Sequence, residues 1–445
     1  MRTYDNYTTP QALLEQELAQ RDESGFSTAE VRARIGATPV HDLPSPEAQD
    51  HLSALAISTP VPDWPFVEPT DLEAIVAEFP TDPFGAGITP AAALPADLDD
   101  RIAAAWLGRC AGNCLGKPVE SGAMWTPDAL KAYLTATGNY PISGYMVHGE
   151  GMPEGLHLVG DPRETTAGNI TYVPRDDDLD YTLLGLHLME KHGRALTTTD
   201  VADAWLSLLP YGATYTAERA TYRTLVAGVA PESAGWRDNP YREWIGAQIR
   251  ADIYGYVLPG RPLEAARLAW QDARLSHVAN GVYGEMWAAA FVACSFTASS
   301  LVEAFDRALN YVPARSRLAD ALRWVRSRHQ AGVEWEALIR EVHKRYSNLH
   351  WVHTVNNAAA VGAAILTCQE DFTTAIGQMV ASGLDTDSNG ATAGSVAGAF
   401  VGTAGIPAGW TEDFHDRIRS ALFGFDNSVL SDVIARTQKL AHDWS

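Results

Sequence analysis

The run Arg175-Asp176-Asp177-Asp178-Leu179-Asp180 is the strongest candidate for chemistry in the chain, because it places four carboxylates within five residues. Carboxylates this close repel one another unless cations neutralise them. The run follows Pro174 and opens a segment of helical periodicity, so several carboxylates can point at one ion beyond the helix end. A solvated acidic first turn is the alternative interpretation, since acidic residues favour helix starts.

A second acidic segment, Asp385-Thr386-Asp387-Ser388-Asn389-Gly390, matches the first half of an EF-hand calcium loop. The second half excludes that loop, since Val396 stands where a bidentate acid is required. These ligands therefore need partners from elsewhere in the chain, and the two acidic segments suggest one shared site. Hard oxygen ligands of this kind select Mg²⁺, Mn²⁺ or Ca²⁺ rather than zinc.

Two predicted helices carry glycines at every fourth position, Gly108, Gly112 and Gly116 in one and Gly394, Gly398 and Gly402 in the one that follows the second acidic segment. A helix with so little side chain is unfavourable by intrinsic propensity. We expect it where helix backbones approach closely, which would hold the aspartates rigidly; an ordinary tightly packed core helix is the alternative. The earlier helix ends near Pro118 and leaves Glu120 in a loop, where an isolated glutamate is usually a solvated surface residue.

Helical periodicity dominates the chain from Leu98 onward. Apolar residues at i, i+4 and i+7 predict a helix over residues 179–191 that stops at Gly193. Further helices are predicted at residues 98–115, 199–209, 262–273, 284–304, 315–328, 335–345, 354–366, 372–382 and 391–402. Strands with a period of two residues are scarce, so the predicted fold class is all-α.

Residues 1–97 differ from the rest of the chain. Short helical patterns at residues 12–21, 28–35 and 70–79 alternate with proline-rich connectors at residues 60–65 and 80–95. Each proline removes a backbone donor and restricts the residue before it, so these connectors cannot be long helices. We therefore predict an N-terminal arm, residues 1–97, wrapped over a main body, residues 98–445. A lid or a dimer arm is the alternative.

The composition is that of an ordinary globular protein, with 46% hydrophobic and 20% charged residues among 445. Acidic residues outnumber basic ones 55 to 33, and the net charge of −22 argues against nucleic-acid and anionic-membrane partners. No signal peptide and no apolar run of about 18 residues is found, so a cytoplasmic location is predicted. The four cysteines indicate small core residues rather than disulfides.

Three segments, in this order, resemble the ADP-ribosylglycohydrolase family. The family's motifs read approximately G-x-x-x-G-D-x-x-G-x-x-x-E, T-D-D-T and G-G-D-T-D-T/S-N, the last followed by a glycine- and alanine-rich helix. Here they appear as the stretch from Gly108 to Glu120, the run Asp176-Asp177-Asp178-Leu179, and the stretch from Gly383 to Asn389. The segment Ser276-His277, before Asn280-Gly281, is similar to the family's T-H segment.

The resemblance implies an orthogonal multi-helix bundle around a dinuclear cleft that holds two divalent cations, Mg²⁺ or Mn²⁺. It implies metal ligation by Asp176, Asp177, Asp178, Asp385, Asp387 and Ser388. It also implies catalytic roles for Glu120, Asp177 and Asp178 and substrate contacts for His277, Asn280 and Gly281. The implied reaction is hydrolysis of an N- or O-ribosyl glycosidic bond, most directly the removal of ADP-ribose from a modified acceptor. An ADP-ribosylated protein or a small ribosylated molecule is the expected partner.

Four departures from the family motifs leave alternatives open. Asp176 and Leu179 stand where threonines are usual, Asn113 replaces an aspartate, and Leu384 replaces a glycine. They motivate an ADP-ribose-binding pseudoenzyme as one alternative, and the arm motivates a glycohydrolase of a small nucleoside-like metabolite as another. The first acidic run also satisfies the D-D-x-x-D motif of terpene synthases, but their second motif, N-D-x-x-S-x-x-x-E, is not found.

Overall fold

The computed structural model describes residues 7–80, 93–149 and 152–444, and almost all of their regular structure is helical. The α-helices are α1 (Pro10–Glu23), α2 (Ala29–Ile35), α3 (Ser45–Leu55), α4 (Leu72–Ala77), α5 (Leu98–Gly116), α6 (Pro127–Ala136), α7 (Pro162–Thr165), α8 (Asp177–His192), α9 (Thr198–Leu208), α10 (Thr216–Val226), α11 (Pro231–Ala234), α12 (Asp252–Val257), α13 (Pro262–Ala273), α14 (Ala279–Ser295), α15 (Leu301–Ala308), α16 (Arg317–Gln330), α17 (Trp335–Arg345), α18 (Thr354–Thr367), α19 (Phe372–Ala381), α20 (Thr386–Val401) and α21 (Leu430–Asp443). The predicted all-α fold is confirmed.

Short elements complete the described structure. The 3-10 helices are Val40–Asp42, Lys117–Val119, Gly193–Ala195, Tyr211–Ala213, Gln248–Arg250, Leu309–Tyr311, Thr403–Gly405, Ala408–Trp410 and Glu412–Phe414. Two strands, β1 (Arg417–Ile418) and β2 (Ser428–Val429), form one antiparallel pair in which Arg417 faces Val429 and Ile418 faces Ser428. In the part of the chain that the structure describes, no helix has both the length and the apolar character that a membrane crossing requires.

Long buried helices form the centre of the molecule. Every residue of α14 is buried, and α18 and α20 are buried over almost their whole lengths. A helix that is apolar on all sides belongs in a core rather than at a surface. The four cysteines are buried and unpaired, which confirms their prediction as small core residues.

Helices α5 and α20 run antiparallel with their backbones in contact. A Cβ atom added at Gly112 would overlap the carbonyl oxygen of Gly390, and one added at Gly116 would overlap that of Thr386. No side chain fits between these backbones, so the close approach predicted from the glycine spacing is confirmed. The contact brings the end of α5 against the start of α20, where the second acidic segment lies.

Some predicted helices have different bounds in the structure. The helices predicted at residues 262–273 and 335–345 are α13 and α17 with the same bounds. The helix predicted at residues 284–304 is two helices, α14 and α15, because Ser300 caps a new start: its hydroxyl oxygen accepts the backbone N–H of Glu303 at 3.0 Å. The helix predicted at residues 391–402 begins earlier, so Asp387 lies in the first turn of α20.

The described part of the arm is attached to the body by buried ion pairs. Glu17 of α1 pairs with Arg242 at 2.5 Å, and Arg317 pairs with Glu68 at 2.8 Å. The arm also has a small core of its own, formed by Leu14, Leu18, Val31, Leu43, Ala48 and Leu55. Most of the connector predicted at residues 80–95 lies outside the described residues, and the division between residues 97 and 98 remains a proposal.

Candidate metal centre

The first acidic run forms the start of α8. Asp176 caps this helix, because its Oδ1 atom accepts the backbone N–H of Asp178 at 3.1 Å. Asp180 is engaged by Arg175, whose Nε donates to it at 2.9 Å. Of the four carboxylates, Asp180 therefore has a structural partner, whereas Asp176, Asp177 and Asp178 line a cavity.

Two side chains of α5 fix the first turn of α8. The buried guanidinium of Arg109 donates from Nη2 to the carbonyl oxygen of Asp178 and from Nε to the hydroxyl of Thr182, each at 2.8 Å. Its charge is balanced by an ion pair with Asp252. Asn113 donates from Nδ2 to Asp178 Oδ2 at 3.0 Å. An amide at position 113 therefore orients the Asp178 carboxylate through a hydrogen bond, where an ionised aspartate would repel it.

A left-handed turn positions the second acidic segment. Gly383 and Leu384 have φ angles of 68° and 66°, a region that is unfavourable for leucine. After the turn, the backbone N–H of Asp385 donates to Asn357 Oδ1 at 3.2 Å, and Asn389 Nδ2 donates to the same oxygen at 2.6 Å. Asn357 of α18 therefore holds both the residue before α20 and its first turn.

The two acidic segments meet at Asp387. Its carboxylate belongs to two groups, one with Glu120 and Asp385 and the other with Asp176 and Asp178, and within each group the ligand oxygens lie within 4.8 Å of one another. Asp178 Oδ1 and Asp385 Oδ1 are buried and have no hydrogen-bond partner among the described residues. Burying such oxygens is unfavourable unless a cation or donor satisfies them. The donor set therefore fits divalent cations that prefer oxygen ligands.

Asp177 and Ser388 line the same cavity beside these groups. Asp177 belongs to neither of the two groups of carboxylates described above. The backbone N–H of Ser388 donates to Asp387 Oδ1 at 3.0 Å. The structure thus brings the six predicted metal ligands and Glu120 to one cavity. Of the six, Asp177 and Ser388 line the cavity but lie outside the two groups of carboxylates.

Burial and mutual repulsion disfavour the ionised forms of these carboxylates. Burial raises the pKa of Glu120, Asp178 and Asp385 well above their ordinary values, and neighbouring carboxylates raise it further. Burial and then Asp176 raise the pKa of Asp387 to about 6. Asp176 is different: burial opposes its ionisation, but the adjacent ammonium of Lys117 lowers its pKa to about 2. Bound cations would stabilise the ionised forms of the other carboxylates.

Lys117 is a member of this site that the acidic motifs did not indicate. It lies in the 3-10 helix between Gly116 and Glu120, and its ammonium forms an ion pair with Asp176. Burial acts against the charged ammonium, but Asp176 and Asp387 raise the pKa of Lys117 above its ordinary value. The sequence signal was its position inside the motif that ends at Glu120.

Aromatic side chains form another part of the cavity wall, which encloses about 590 Å³. Trp244 and His350 stack with their ring centroids 4.1 Å apart and their planes 9° apart. Tyr215, Tyr241 and Trp351 also line the cavity. Motif spacing gave no indication of these residues, because they come from three separate loops that only the fold brings together.

The arm also contributes to the cavity wall. Tyr7, which precedes α1, and Ala12, Glu15 and Gln16 of α1 line the cavity together with the acidic residues. The backbone oxygen of Tyr7 accepts a hydrogen bond from the Tyr241 hydroxyl at 2.7 Å. The cavity is therefore shared between the arm and the body.

The three predicted substrate contacts lie behind the cavity wall. His277 is buried, with its Nδ1 atom 2.8 Å from the Ser276 hydroxyl, and burial lowers the pKa of its imidazole well below the ordinary value. Asn280 donates from Nδ2 to Glu243 at 3.1 Å, and Gly281 packs closely against the His277 ring. None of the three is among the described residues that line the cavity, and their role in substrate binding stays a prediction.

The helical fold and the buried carboxylates define an all-α protein with a candidate metal centre in a cavity of about 590 Å³. The sequence model of the ADP-ribosylglycohydrolase family matches residues 94–440, and the chain belongs to this family. A solved structure described as an ADP-ribosylglycohydrolase-related protein complex is 20% identical; the alignment covers 78% of this chain and 98% of that one, with a TM-score of 0.48. Among curated proteins, no match is found.

Proposed function

We propose that this protein is a metal-dependent glycosidase that hydrolyses an N- or O-ribosyl glycosidic bond and releases ADP-ribose from a modified acceptor. Membership of the ADP-ribosylglycohydrolase family supports the substrate class. The observation that carries the proposal is the meeting of two groups of carboxylates at Asp387 in one cavity. We also propose a cytoplasmic location, in keeping with the sequence prediction.

The carboxylates of Glu120, Asp385 and Asp387 are the proposed holders of Mg²⁺ or Mn²⁺, and those of Asp176 and Asp178 lie beside them and share Asp387. A bound divalent cation of this kind lowers the pKa of a coordinated water and orients substrate oxygens. The chain supplies the fixed geometry for it, because Asn113, Asn357 and the contact between α5 and α20 hold these carboxylates in place.

Asp177 is our candidate for the group that accepts a proton from the attacking water. Its side chain lines the cavity, and burial, followed by the repulsion of Asp176, raises the pKa of Asp177 well above its ordinary value. A carboxylate with a raised pKa is a better proton acceptor near neutral pH. Glu120 shares the cavity and has a similarly raised pKa, so it is the second candidate for the same task.

The aromatic wall suits a planar group of the substrate. Tyr215, Tyr241 and Trp351 offer ring faces or edges, and Trp244 is held by its stacking on His350. Rings of this kind bind a purine base or a planar guanidinium through stacking and cation–π contacts. We propose that this wall binds a planar part of the ribosylated compound while the carboxylate end binds the ribose.

A second candidate function is hydrolysis of a small ribosylated metabolite. The observation that favours it is the presence of arm residues in the cavity wall, namely Tyr7, Ala12, Glu15 and Gln16. These residues reduce the room for the acceptor, and a protein acceptor needs more room than a free nucleoside-like molecule. Both candidates use the same carboxylates.

A product screen separates the candidates. The purified chain is incubated in Mg²⁺ or Mn²⁺ with ADP-ribosyl-arginine, ADP-ribosyl-serine, ADP-ribosylated protein, free nucleotides and small N-ribosides, and released products are quantified. Release of ADP-ribose from protein or amino-acid conjugates supports the first candidate, and turnover of small N-ribosides alone supports the second. Binding of ADP-ribose without any turnover would indicate a pseudoenzyme and contradict both.

The variant Asp387→Asn tests the role of the shared carboxylate. We expect turnover to fall by about 10²–10³-fold or more, because one change alters both groups of ligands. Asp413→Asn, which changes an exposed aspartate in a distant 3-10 helix, is the matched control and should keep full activity. Undiminished turnover in Asp387→Asn would refute the assignment.

A further inference from the structure

Lys117 is anchored at the point where α5 and α20 touch. It follows Gly116 directly, and the carbonyl oxygen of Gly116 accepts the Thr386 hydroxyl at 2.9 Å. The glycine backbone is in contact with Thr386, which leaves no space for the chain to shift. The Lys117 side chain therefore starts from a fixed point at the edge of the carboxylates.

The ammonium of Lys117 already pairs with Asp176, a member of one of the two groups of carboxylates. Asp176 uses Oδ1 to accept the backbone N–H of Asp178 and Oδ2 to accept the Lys117 ammonium, so both of its oxygens have protein partners. The Lys117 side chain is 20% exposed and that of Asp176 only 3%. Among the described residues, Lys117 is the cationic side chain that pairs with a carboxylate of either group, since Arg175 pairs with Asp180 instead.

The other group of carboxylates has no such internal cation. Asp385, like Asp178 in the first group, keeps its Oδ1 atom buried and without a hydrogen-bond partner among the described residues, and Glu120 and Asp387 lie within ligand distance of Asp385. A doubly charged ion here would be attracted by three carboxylates. An ion beside Asp176 would instead meet the positive charge of Lys117 at close range, in surroundings that screen charges poorly.

We infer that the Lys117 ammonium takes the cation position beside Asp176, and that the centre binds one divalent cation, held by Glu120, Asp385 and Asp387. This inference rests on the proposed function and replaces the predicted pair of metal ions by one ion and one fixed ammonium. Lys117 is then a positioning residue. It neutralises Asp176 and presents N–H donors to the cavity, where they can bind a substrate oxygen.

The stoichiometry of cation binding tests this inference without any substrate. In calorimetric titrations of the metal-free protein with Mn²⁺ and with Mg²⁺, we expect one ion per chain. In Lys117→Ala, the freed Asp176 group should bind a second ion and the stoichiometry should rise to two. Lys117→Arg keeps the positive charge and should remain at one, as should Lys131→Ala, which removes an exposed surface lysine.

Electron paramagnetic resonance of the Mn²⁺-loaded protein gives a second, independent measurement. We expect the signal of an isolated Mn²⁺ ion, and the spectrum of two coupled ions should appear in Lys117→Ala. Two ions per chain in the wild-type protein, or one in a folded Lys117→Ala variant, would overturn the inference and leave the proposed function intact. No cation binding at all would overturn the proposed metal dependence and the inference together.

Discussion

At the scale of single residues, the centre gathers charges that destabilise the fold when no cation is bound. Asp178 and Asp385 are buried and Glu120 is half-buried, and the pKa values of all three are raised by loss of solvation and by neighbouring carboxylates. Such groups are kept for binding rather than for stability, because a neutral side chain would fit the same space at lower electrostatic cost. Cation binding and stability are therefore linked at these positions.

The variant Asp385→Asn should show this link directly. Without divalent cations we expect it to be more stable than the wild-type protein by about 1–2 kcal/mol, because a carboxylate repelled by Asp387 is removed. At a cation concentration about 100 times the dissociation constant, the wild-type protein should gain about 2.7 kcal/mol and the variant much less. Thermal unfolding with Mg²⁺ or with a chelator measures both effects. An equal cation-induced shift in the two proteins would contradict the assignment of Asp385 as a ligand.

At the scale of elements, the direct backbone contact between α5 and α20 sets the position of the whole metal centre. The two helices carry Asn113 and Asp387 at their facing ends, and the turn with Lys117 and Glu120 follows directly. Because the side chain of glycine is a single hydrogen atom, the two helix backbones pack directly against each other at a fixed distance. This close fit makes the pairing of α5 with α20 specific. An added atom in this contact would displace the second acidic segment relative to Lys117 and Glu120.

The variant Gly112→Ala tests the contact. A Cβ atom at this position would overlap the carbonyl oxygen of Gly390, a backbone atom that cannot rotate away. We expect the free energy of unfolding to fall by about 3 kcal/mol or more, as for overpacking of a rigid core, and cation affinity to fall with it. Gly409→Ala, at an exposed glycine with open space around it, should be close to neutral in both chemical denaturation and cation titration.

The glycine spacing and the acidic motifs were enough to predict the elements of the centre, for simple physical reasons. A glycine at every fourth position has few purposes other than close helix contact, and clustered aspartates need cations. The break between α14 and α15 at Ser300 was missed, because apolar residues continue through it and only a cap marks it. The role of Lys117 was missed as well, since a lysine beside a glycine has no distinctive periodicity and its partner Asp176 is remote in sequence.

At the scale of the whole molecule, the arm completes the cavity and is fixed rather than loosely attached. Glu17 and Arg242 form a buried ion pair between α1 and the body, with side chains only 10% and 11% exposed. Gln20 of the same helix donates to Glu243 at 3.2 Å. No sequence pattern predicts this attachment, because the partners are more than two hundred residues apart along the chain.

Breaking the Glu17–Arg242 pair should loosen the arm. In Glu17→Gln the guanidinium of Arg242 stays buried with less compensation, and we expect a loss of about 3 kcal/mol in the free energy of unfolding. Protease cleavage within the arm should become faster. Glu15→Gln, at an exposed position on the same helix, is the control and should keep the stability of the wild-type protein. Equal stability of both variants would show that the pair does not hold the arm.

The end of α1 adds a pH dependence to this attachment. Burial, and then the charge of Glu243, raise the pKa of Glu23 to about 7 from an ordinary value of 4.5. Because the folded-state pKa is the higher one, the contribution of protonated Glu23 to stability is fully present below about pH 4.5 and is lost as the pH rises through 7. The ionised carboxylate would then lie near Glu243 and beside the neutral ring of His353, 3.9 Å away.

Replacing Glu23 by glutamine should remove this loss. Relative to the wild-type protein, we expect Glu23→Gln to gain about 1–3 kcal/mol at pH 8, less than the full shift implies because the side chain keeps partial access to water. The gain should shrink between pH 7 and pH 4.5 and vanish below that range. Urea unfolding across these pH values measures it, with Glu30→Gln, at an exposed glutamate of α2, as the control. A gain that does not change with pH would mean that Glu23 acts on the arm through shape rather than through its charge.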